Sequence, residues 1–552
     1  MSKTVDYRVK FRKIRHVIKN IVFGKNIFQI FFRVYLFVIM LGAVLLYTNL
    51  THKSWDIPNT ISLGTHKYTF WNALFIACSA FTNTGLTCFN ISDFYNFWGQ
   101  FIIFTLIWLG GIGIISLFYV FWNLFRKSDN LKLNHIILLQ SERGTTKLND
   151  TFRSIRFSIV FIMCIQIFFG FIFSLWLYWM PVHYQDFDYI GETNIKISYD
   201  VSEYINAHGN YSVAIWQGMF CSFTSMNNAG FDIFEQNISI AAFRNDWNII
   251  FQLITIIEII IGGIGYPLMF DIYEKIRLKR LNITHRFTLF SKVCLISYFA
   301  ILIIGLIFAY GFEFGAPNTS SIWSESMYWP NGISIAGIHN DDIINHKYWG
   351  NHELLNKCWA IFYNTVSTRS AGITTIDQGL FTMGTQIIYI LMMFIGGSPS
   401  STAGGIRTTT FVVLLAAIIS AVRGRSNTSI FKRNIPRITV IKSFLIFFFG
   451  VLLISISTLI IMYTRTVESP NVGISEYSNF DYLSCLYEVA SAFGTVGFTM
   501  GITAVASPIG LFILVLCMFV GQLGVSNTLL LWVKKIPFSR DINYVEEDIR
   551  IG

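Results

Sequence analysis

The sequence predicts an all-α polytopic membrane protein of four pseudo-repeats around one pore. Each repeat is a span, a half-length pore helix, a glycine loop and a second span. Three observations carry this reading. The 552 residues are 53% hydrophobic and 13% charged, with mean hydropathy +0.53, far too little charge to cover a soluble surface of that size. Apolar runs of full membrane length alternate with runs of roughly half that length. Each short run leads to a glycine followed by a bulky apolar residue: Gly85-Leu86, Gly230-Phe231, Gly372-Ile373 and Gly497-Phe498.

A helix needs about 20 apolar residues to cross the hydrocarbon core. Eight runs qualify: Ile27 to Leu50, Trp98 to Leu124, Phe157 to Met180, Trp247 to Ile272, Leu289 to Tyr310, Thr385 to Val422, Ser443 to Tyr463 and Pro508 to Val533. The first is too long for a signal-peptide core and lacks a small-residue cleavage site, so it reads as a retained span. Between successive pairs lie the short runs Trp71 to Ala80, Ala214 to Ser225, Cys358 to Ser367 and Leu483 to Phe493, the length of a re-entrant helix. The chain divides into a basic N-terminus (1–26), repeat 1 (27–124) and a loop with repeat 2 (125–286). Repeat 3 (287–422), a loop with repeat 4 (423–535) and a tail (536–552) follow. A second mark supports the period. Gly110-Gly111, Gly262-Gly263, Gly396-Gly397 and Gly521 follow the loop glycine at 24 or 25 residues in three copies and 32 in the second. Glycine is also common at membrane-helix contacts, which is the plainer reading of any one pair.

Charge sets the orientation. Thirty-two of the 41 Lys and Arg lie up to Arg33, in 126–156, 275–292 and 423–442, and from Lys534 on. By the positive-inside rule both termini and these loops are cytoplasmic, and the pore loops enter from outside. The net charge of +10 therefore reflects topology, not nucleic-acid binding. The outer segments carry Asp186, Asp188, Glu192, Asp200, Asp341 and Asp342, which read either as a cation-attracting vestibule or as solvated loop residues. The eight cysteines form no CxxC or zinc pattern and read as membrane-core residues.

Glycine turns a carbonyl toward a narrow axis and adds no side chain to block it. The carbonyls of Thr84, Ala229, Ala371 and Val496, with those of Gly85, Gly230, Gly372 and Gly497, are the candidate ion ligands. Rings of such carbonyls replace the hydration shell of potassium. Non-helical backbone at membrane depth must be buried or line water. Four tight turns between buried helices would leave the fourfold repetition unexplained. The sixth run is interrupted by a small, polar stretch containing Ser398, Pro399, Ser400, Ser401, Thr402, Ala403, Gly404 and Gly405. A helix broken at that depth should line a cavity, so the stretch reads as a movable plug, or gating loop; a static kink is the plainer alternative.

Charges inside spans are functional candidates by default. Arg369 sits in the third loop and is expected to order it through carbonyl or carboxylate contacts, with Glu488 one possible partner. Arg407 closes the broken stretch. Glu258 reads as facing the bundle interior or, equally, as a protonated structural residue. No nucleophile elbow, HExxH motif or paired Cys-His cluster suggests an enzyme, and a membrane scaffold would not require four glycine loops. No nucleotide-binding motif occurs, so nucleotide control requires a partner.

These residues resemble the Trk/Ktr/HKT superfamily of potassium transporters. The resemblance runs from about Ile27 to Gly552. Its most specific pieces are Ser367 to Gly372, Gly396 to Thr410 and Glu488 to Gly497; Asn227 to Phe231 and Gly263 to Pro267 agree. Eight spans, the basic loop ending Ile430-Phe431-Lys432-Arg433 and the tail Ile549 to Gly552 make it most similar to the KtrB-type membrane subunits. The resemblance implies potassium as substrate, no cofactor in this chain, a homodimer with one pore per subunit, and a cytosolic KtrA-type nucleotide-binding ring. It implies a multi-pass plasma-membrane location. Four filter glycines go with potassium preference, since sodium-selective relatives carry serine in the first loop. A TrkH-type or sodium-conducting relative is the alternative. One departure stands out: the family usually has Gly-Arg where this chain has Gly521-Gln522, which removes a charge barrier expected beneath the filter.

Overall fold

Backbone surrounded by hydrocarbon must satisfy its own hydrogen bonds, and the apolar runs accordingly fold as helices. The computed structural model describes residues 27–53, 68–113, 148–179, 188–190, 196–198, 209–233, 248–283, 286–315, 353–376, 378–425, 427–468, 481–525 and 528. Repeat 1 comprises α1 (Ile27–Tyr47), the short α2 (Phe70–Phe81) and α3 (Phe97–Ile112). Repeat 2 comprises α4 (Leu148–Trp179), the short α5 (Tyr211–Met226), α6 (Asn248–Ile264) and α7 (Tyr266–Arg280). Repeat 3 comprises α8 (Leu289–Gly315), α9 (Glu353–Ser367), α10 (Met383–Phe394) and α11 (Thr408–Val422). Repeat 4 comprises α12 (Arg437–Glu468), α13 (Tyr482–Gly494) and α14 (Pro508–Leu523).

Among the described residues, three stretches are single helices long and apolar enough to cross a membrane: Arg153–Trp179, Leu289–Gly315 and Arg437–Thr464. The pair α6 and α7 makes a fourth, bent by 94°. The sequence expects eight spans with an interruption in the sixth; among the described residues the second helix of each other repeat also ends at a glycine. Helices α3, α6 and α14 each end at a glycine in the left-handed region, Gly113 (φ 83°), Gly265 (φ 97°) and Gly524 (φ 83°), three residues beyond the glycine mark of its repeat. That conformation ends an α-helix and suits glycine. In repeat 3 the break is the longer stretch between α10 and α11. The expected continuations to Leu124 and Val533 lie outside the described residues.

The glycine marks have a packing reason. A Cβ at Gly110, Gly262 or Gly521 would be driven into the carbonyl oxygen of Phe81, Met226 or Phe493, at the end of the short helix of the same repeat. In repeat 3, Gly396 instead faces the Gly404 carbonyl. Small residues let the backbones approach closely.

The repeats close on one another. Helix α3 packs on α5, α6 on α9, α10 on α13, and α14 returns to α2. Each second helix thus supports the short helix of the next repeat. Two tryptophan–glutamine bonds pin these contacts, Trp216 Nε1 donating to Gln100 Oε1 at 2.9 Å and Trp359 Nε1 to Gln252 Oε1 at 2.5 Å. Six of the eight cysteines are buried, as membrane-core residues should be.

Two small hairpins complete the described structure. Asp188–Ile190 pairs antiparallel with Lys196–Ser198. Ser429–Ile430 pairs with Arg433–Asn434 through Phe431 (φ 48°) and Lys432 (φ 63°), two successive left-handed residues as in a tight two-residue hairpin loop. The basic N-terminus, most of the basic loop 126–156, the segment from Lys534 on and the outer acids Asp186, Glu192, Asp200, Asp341 and Asp342 lie outside the described residues.

Candidate ion-conduction site

The four short helices end in a common way. In repeats 1, 2 and 4 the N–H groups of Thr84, Ala229 and Val496 donate to the carbonyls of Ser79, Thr224 and Ser491 at 2.8–2.9 Å. Those of Asn83, Asn228 and Thr495 donate to Ala80, Ser225 and Ala492 at 3.1–3.2 Å. This pair of bonds is a Schellman cap, which needs a left-handed residue after the helix. Asn83 (φ 53°), Asn228 (φ 54°) and Thr495 (φ 48°) occupy that position, and Ser370 (φ 76°) does so in repeat 3. There Ala371 and Gly372 N–H both point to the Ser367 carbonyl.

Two residues on, Gly85, Gly230, Gly372 and Gly497 are again left-handed, with φ of 90°, 69°, 69° and 99°. Alternating hands turn successive carbonyls to one side of the strand. The four glycines also face one another in a closed ring. A Cβ on each would lie within 2.8 Å of a carbonyl in the following loop: Gly85 to Ala229, Gly230 to Ala371, Gly372 to Val496, and Gly497 back to Thr84. The same Cβ would stand 2.9–3.1 Å from the next loop's glycine Cα. The eight candidate ion ligands are therefore brought together, in chain order, with no room for side chains between loops.

The broken stretch of repeat 3 docks against this ring. Gly404 N–H donates to Thr495 Oγ1 at 2.8 Å, with Ser370 Oγ 3.4 Å away. Ser370 Oγ in turn donates to the Thr495 carbonyl at 2.7 Å, joining the third and fourth loops. On the opposite side, Ser398 N–H donates to the Gly263 carbonyl at 3.2 Å and Thr402 Oγ1 to that of Gly262 at 3.4 Å. The stretch is braced internally by Ser401 Oγ to the Ser398 carbonyl at 2.7 Å. Ser400 (φ 63°) and Gly405 (φ 72°) supply its turns. Arg407 donates to the Ala403 carbonyl and, at 3.3 Å, to the Gln522 carbonyl. It thus ties the stretch to α14 at the position where the sequence departs from its resemblance. Among the described residues the buried Gln522 side-chain oxygen has no hydrogen-bond partner.

Arg369 is fully buried. Its guanidinium donates to the carbonyls of Met392 (3.3 Å), Ile395 (2.5 Å) and Gly396 (2.7 Å) and lies 5.0 Å from the centre of the Tyr298 ring. These are the unsatisfied carbonyls at the end of α10, where a cation also meets the negative pole of the helix. Of the two kinds of partner expected for Arg369, carbonyls are the ones used, and the Glu488 carboxylate is not. Glu488 accepts from Thr499 Oγ1 at 2.8 Å, Met500 N–H at 2.9 Å and Thr503, and so shapes the segment after the fourth loop. The reason is location: Arg369 turns toward the break in α10, and Glu488 toward the segment beyond its own loop. Glu258 faces the bundle interior, bonded to Ser222 Oγ at 2.5 Å.

Replacing Arg369 with leucine is expected to strand three buried carbonyls, each costing about 1–3 kcal/mol. Both the unfolding midpoint and the monodisperse yield in detergent should fall. Lysine should not restore them, because it lacks the planar fork that spans several acceptors. An unfolding midpoint equal to that of the parent protein in either variant would refute this role.

Sequence reasoning missed the left-handed residues and the Ser370/Thr495 hydroxyl pair. A signal was present. Asn83, Asn228, Ser370 and Thr495 all stand two places before a ring glycine, and asparagine is among the residues that tolerate this conformation. In the amide orientation that satisfies its neighbours, Asn83 accepts from Gly111 N–H at 2.9 Å and Asn228 from Gly263 N–H at 3.2 Å. The first two loops thus hold their second helices by amides. The last two hold the broken stretch of repeat 3 by hydroxyls.

A family model described as a cation transport protein, TrkH, matches residues 44–543. The chain belongs to the TrkH family. An uncharacterized cation transporter of Mycoplasma pneumoniae is 32% identical, over 97% of this chain and 98% of that one. The Ktr system potassium uptake protein D of Bacillus subtilis is 27% identical over 88% of this chain and 90% of its own length. The crystal structure of the potassium transporter TrkH from Vibrio parahaemolyticus shares the fold, with a TM-score of 0.58 at 15% identity, covering 91% of this chain and 84% of that one. Family membership places the chain among membrane cation transporters of the Trk/Ktr superfamily.

Proposed function

We propose that this chain mediates potassium uptake across the plasma membrane through a channel-like pore. Thr84, Gly85, Ala229, Gly230, Ala371, Gly372, Val496 and Gly497 form the selectivity filter. Residues Ser398 to Gly405 form an intramembrane gate, and a cytosolic nucleotide-binding ring regulates it. The observation that carries this reading is the closed ring of four left-handed glycines, each pressed against a carbonyl of the next loop. Backbone carbonyls held this way replace the water of a bare monovalent cation without offering it a fixed charge. The four short helices aim their C-termini, the negative ends of their dipoles, at the same place. The names of the Ktr-type relatives support potassium as the ion.

On this reading the gating stretch sits docked in the closed state. Opening requires loss of the Gly404–Thr495 bond and release of Ala403 from Arg407. Arg407 takes over part of the anchoring that an arginine at 522 would supply, because its guanidinium reaches the Gln522 carbonyl itself. The chain works as a homodimer, with both termini and the basic loops cytoplasmic. The regulatory ring docks on the segments 277–286 and 423–437. The hairpin at Ser429–Asn434 supports this, since its turn places Phe431, Lys432 and Arg433 in exposed positions.

Rubidium uptake into proteoliposomes holding the purified protein tests the reading. Uptake should be competed by external potassium well before sodium, and should change when a nucleotide-loaded cytosolic ring is added. Uptake no greater than in empty vesicles would overturn it, and equal competition by sodium would favour the sodium-conducting alternative.

A further inference from the structure

Ser370 and Thr495 stand where the third loop, the fourth loop and the broken stretch meet, and both are buried. Each hydroxyl has one proton to give, and the contacts put those protons in order. Gly404 N–H can only donate, and Thr495 Oγ1 accepts it at 2.8 Å. The Thr495 hydroxyl proton is then left for Ser370 Oγ, 3.2 Å away. The Ser370 proton goes to the Thr495 carbonyl at 2.7 Å, with the Gly494 carbonyl at 3.0 Å. A directed chain thus runs from an amide of the broken stretch to the peptide that joins Thr495 to Val496. The other side of that peptide is fixed as well, since Val496 N–H donates to the Ser491 carbonyl at 2.9 Å. The start of the stretch is held by the same loop. Arg369, next to Ser370, donates to the Ile395 and Gly396 carbonyls. One loop of the ring therefore grips the stretch at both ends.

We propose that Ser370 is a positioning residue that couples the broken stretch to the ring. The inference rests on the reading of the ring as the ion path and of the stretch as its gate. While the stretch is docked, Gly404 heads the chain and each bond polarises the next. The third and fourth loops are then held in one arrangement. When the stretch leaves, Thr495 Oγ1 loses its donor, both hydroxyls can turn, and the junction of the two loops loosens. An already ordered ring takes a cation at lower entropic cost. Coupling between two sites is reciprocal, so potassium in the ring favours the docked stretch to the same degree. An occupied ring thus restrains its own gate.

The test is amide hydrogen exchange in the full-length protein, with either potassium or choline as the salt cation. It is read on the segment 398–407 relative to the amides of α4. Potassium should slow exchange in that segment about fivefold or more. Ser370→Gly removes the hydroxyl, and glycine accepts the φ of 76° found there without strain. It should abolish the potassium effect, and so should Thr495→Val. Thr495→Ser keeps the hydroxyl and should retain the effect. A merely structural role would change exchange equally in both salts. Exchange alike in potassium and choline, in a parent protein that takes up rubidium, would overturn the coupling. A potassium effect that survives in Ser370→Gly would overturn the role of Ser370. If Ser370→Gly does not fold, Thr495→Val and Thr495→Ser decide: a potassium effect kept in both, or lost in both, overturns the chain. Absence of rubidium uptake by the parent protein would instead remove the conduction reading on which the coupling depends.

Discussion

Gly85→Ser is expected to lower the preference for potassium over sodium at least about tenfold. Gly85 has φ 90°, and a Cβ there would stand 2.5 Å from the Ala229 carbonyl oxygen and 2.9 Å from Gly230 Cα. Both neighbours are backbone, so the strain cannot be relieved by turning a side chain. The loop must shift, and the carbonyl spacing shifts with it. The added hydroxyl also offers a compact ligand that favours a smaller ion. Tenfold corresponds to about 1.4 kcal/mol, within the range of strain expected of a non-glycine residue held in an unsuitable backbone conformation. Competition of rubidium uptake by potassium and sodium, in a variant reconstituted at parent level, measures the ratio. A parent-like ratio would show that Gly85 does not face the ion.

Thr495→Val should raise uptake in the absence of the cytosolic partner, by about fivefold to a hundredfold. Thr495 Oγ1 accepts the Gly404 N–H at 2.8 Å, and valine keeps the shape while removing the acceptor. The Gly404 N–H then keeps only the longer contact to Ser370 Oγ at 3.4 Å; a buried donor left so poorly satisfied costs up to about 1–3 kcal/mol, and that cost falls on the docked state alone. Valine is β-branched like threonine, so the left-handed backbone at φ 48° is strained alike in both proteins. The variant thus removes the hydroxyl that holds Gly404, together with its 3.2 Å contact to Ser370 Oγ. Partner-free rubidium uptake, normalised to protein, checks this. Uptake equal to the parent, with selectivity preserved, would assign Gly404 and Thr495 to a static kink.

Much of the membrane architecture was legible because hydropathy and the ring glycines report directly on constraints the bilayer imposes. Length and apolarity identified α4, α8 and α12 as spanning helices, and α2, α5, α9 and α13 as half-length helices before a glycine. The interruption of the sixth run was legible from Pro399 and its glycines. The breaks after α3, α6 and α14 were not, because the residues there remain apolar and only the sign of φ at Gly113, Gly265 and Gly524 marks them. The pairing offered for Arg369 and Glu488 failed for a related reason. Opposite charge is a guide in sequence; carbonyl contacts were the other expectation and are the ones made, but which carbonyls, those at the broken end of α10, carries no signature in the sequence.

The sequence by itself determined the membrane class, the fourfold repeat and the four glycines, because those depend on which residues hydrocarbon and a left-handed backbone accept. Tertiary structure alone decided how they meet. It closes the repeats in order, so that Gly497 returns to Thr84, and it places hydroxyls of two loops against the amide of a third segment. It also carries Arg407 to the Gln522 carbonyl and Arg369 to the end of α10. Such contacts join residues up to 413 positions apart, as from Thr84 to Gly497. In each of them at least one partner is a backbone group common to every residue, which is why side-chain identity could not announce the pairing.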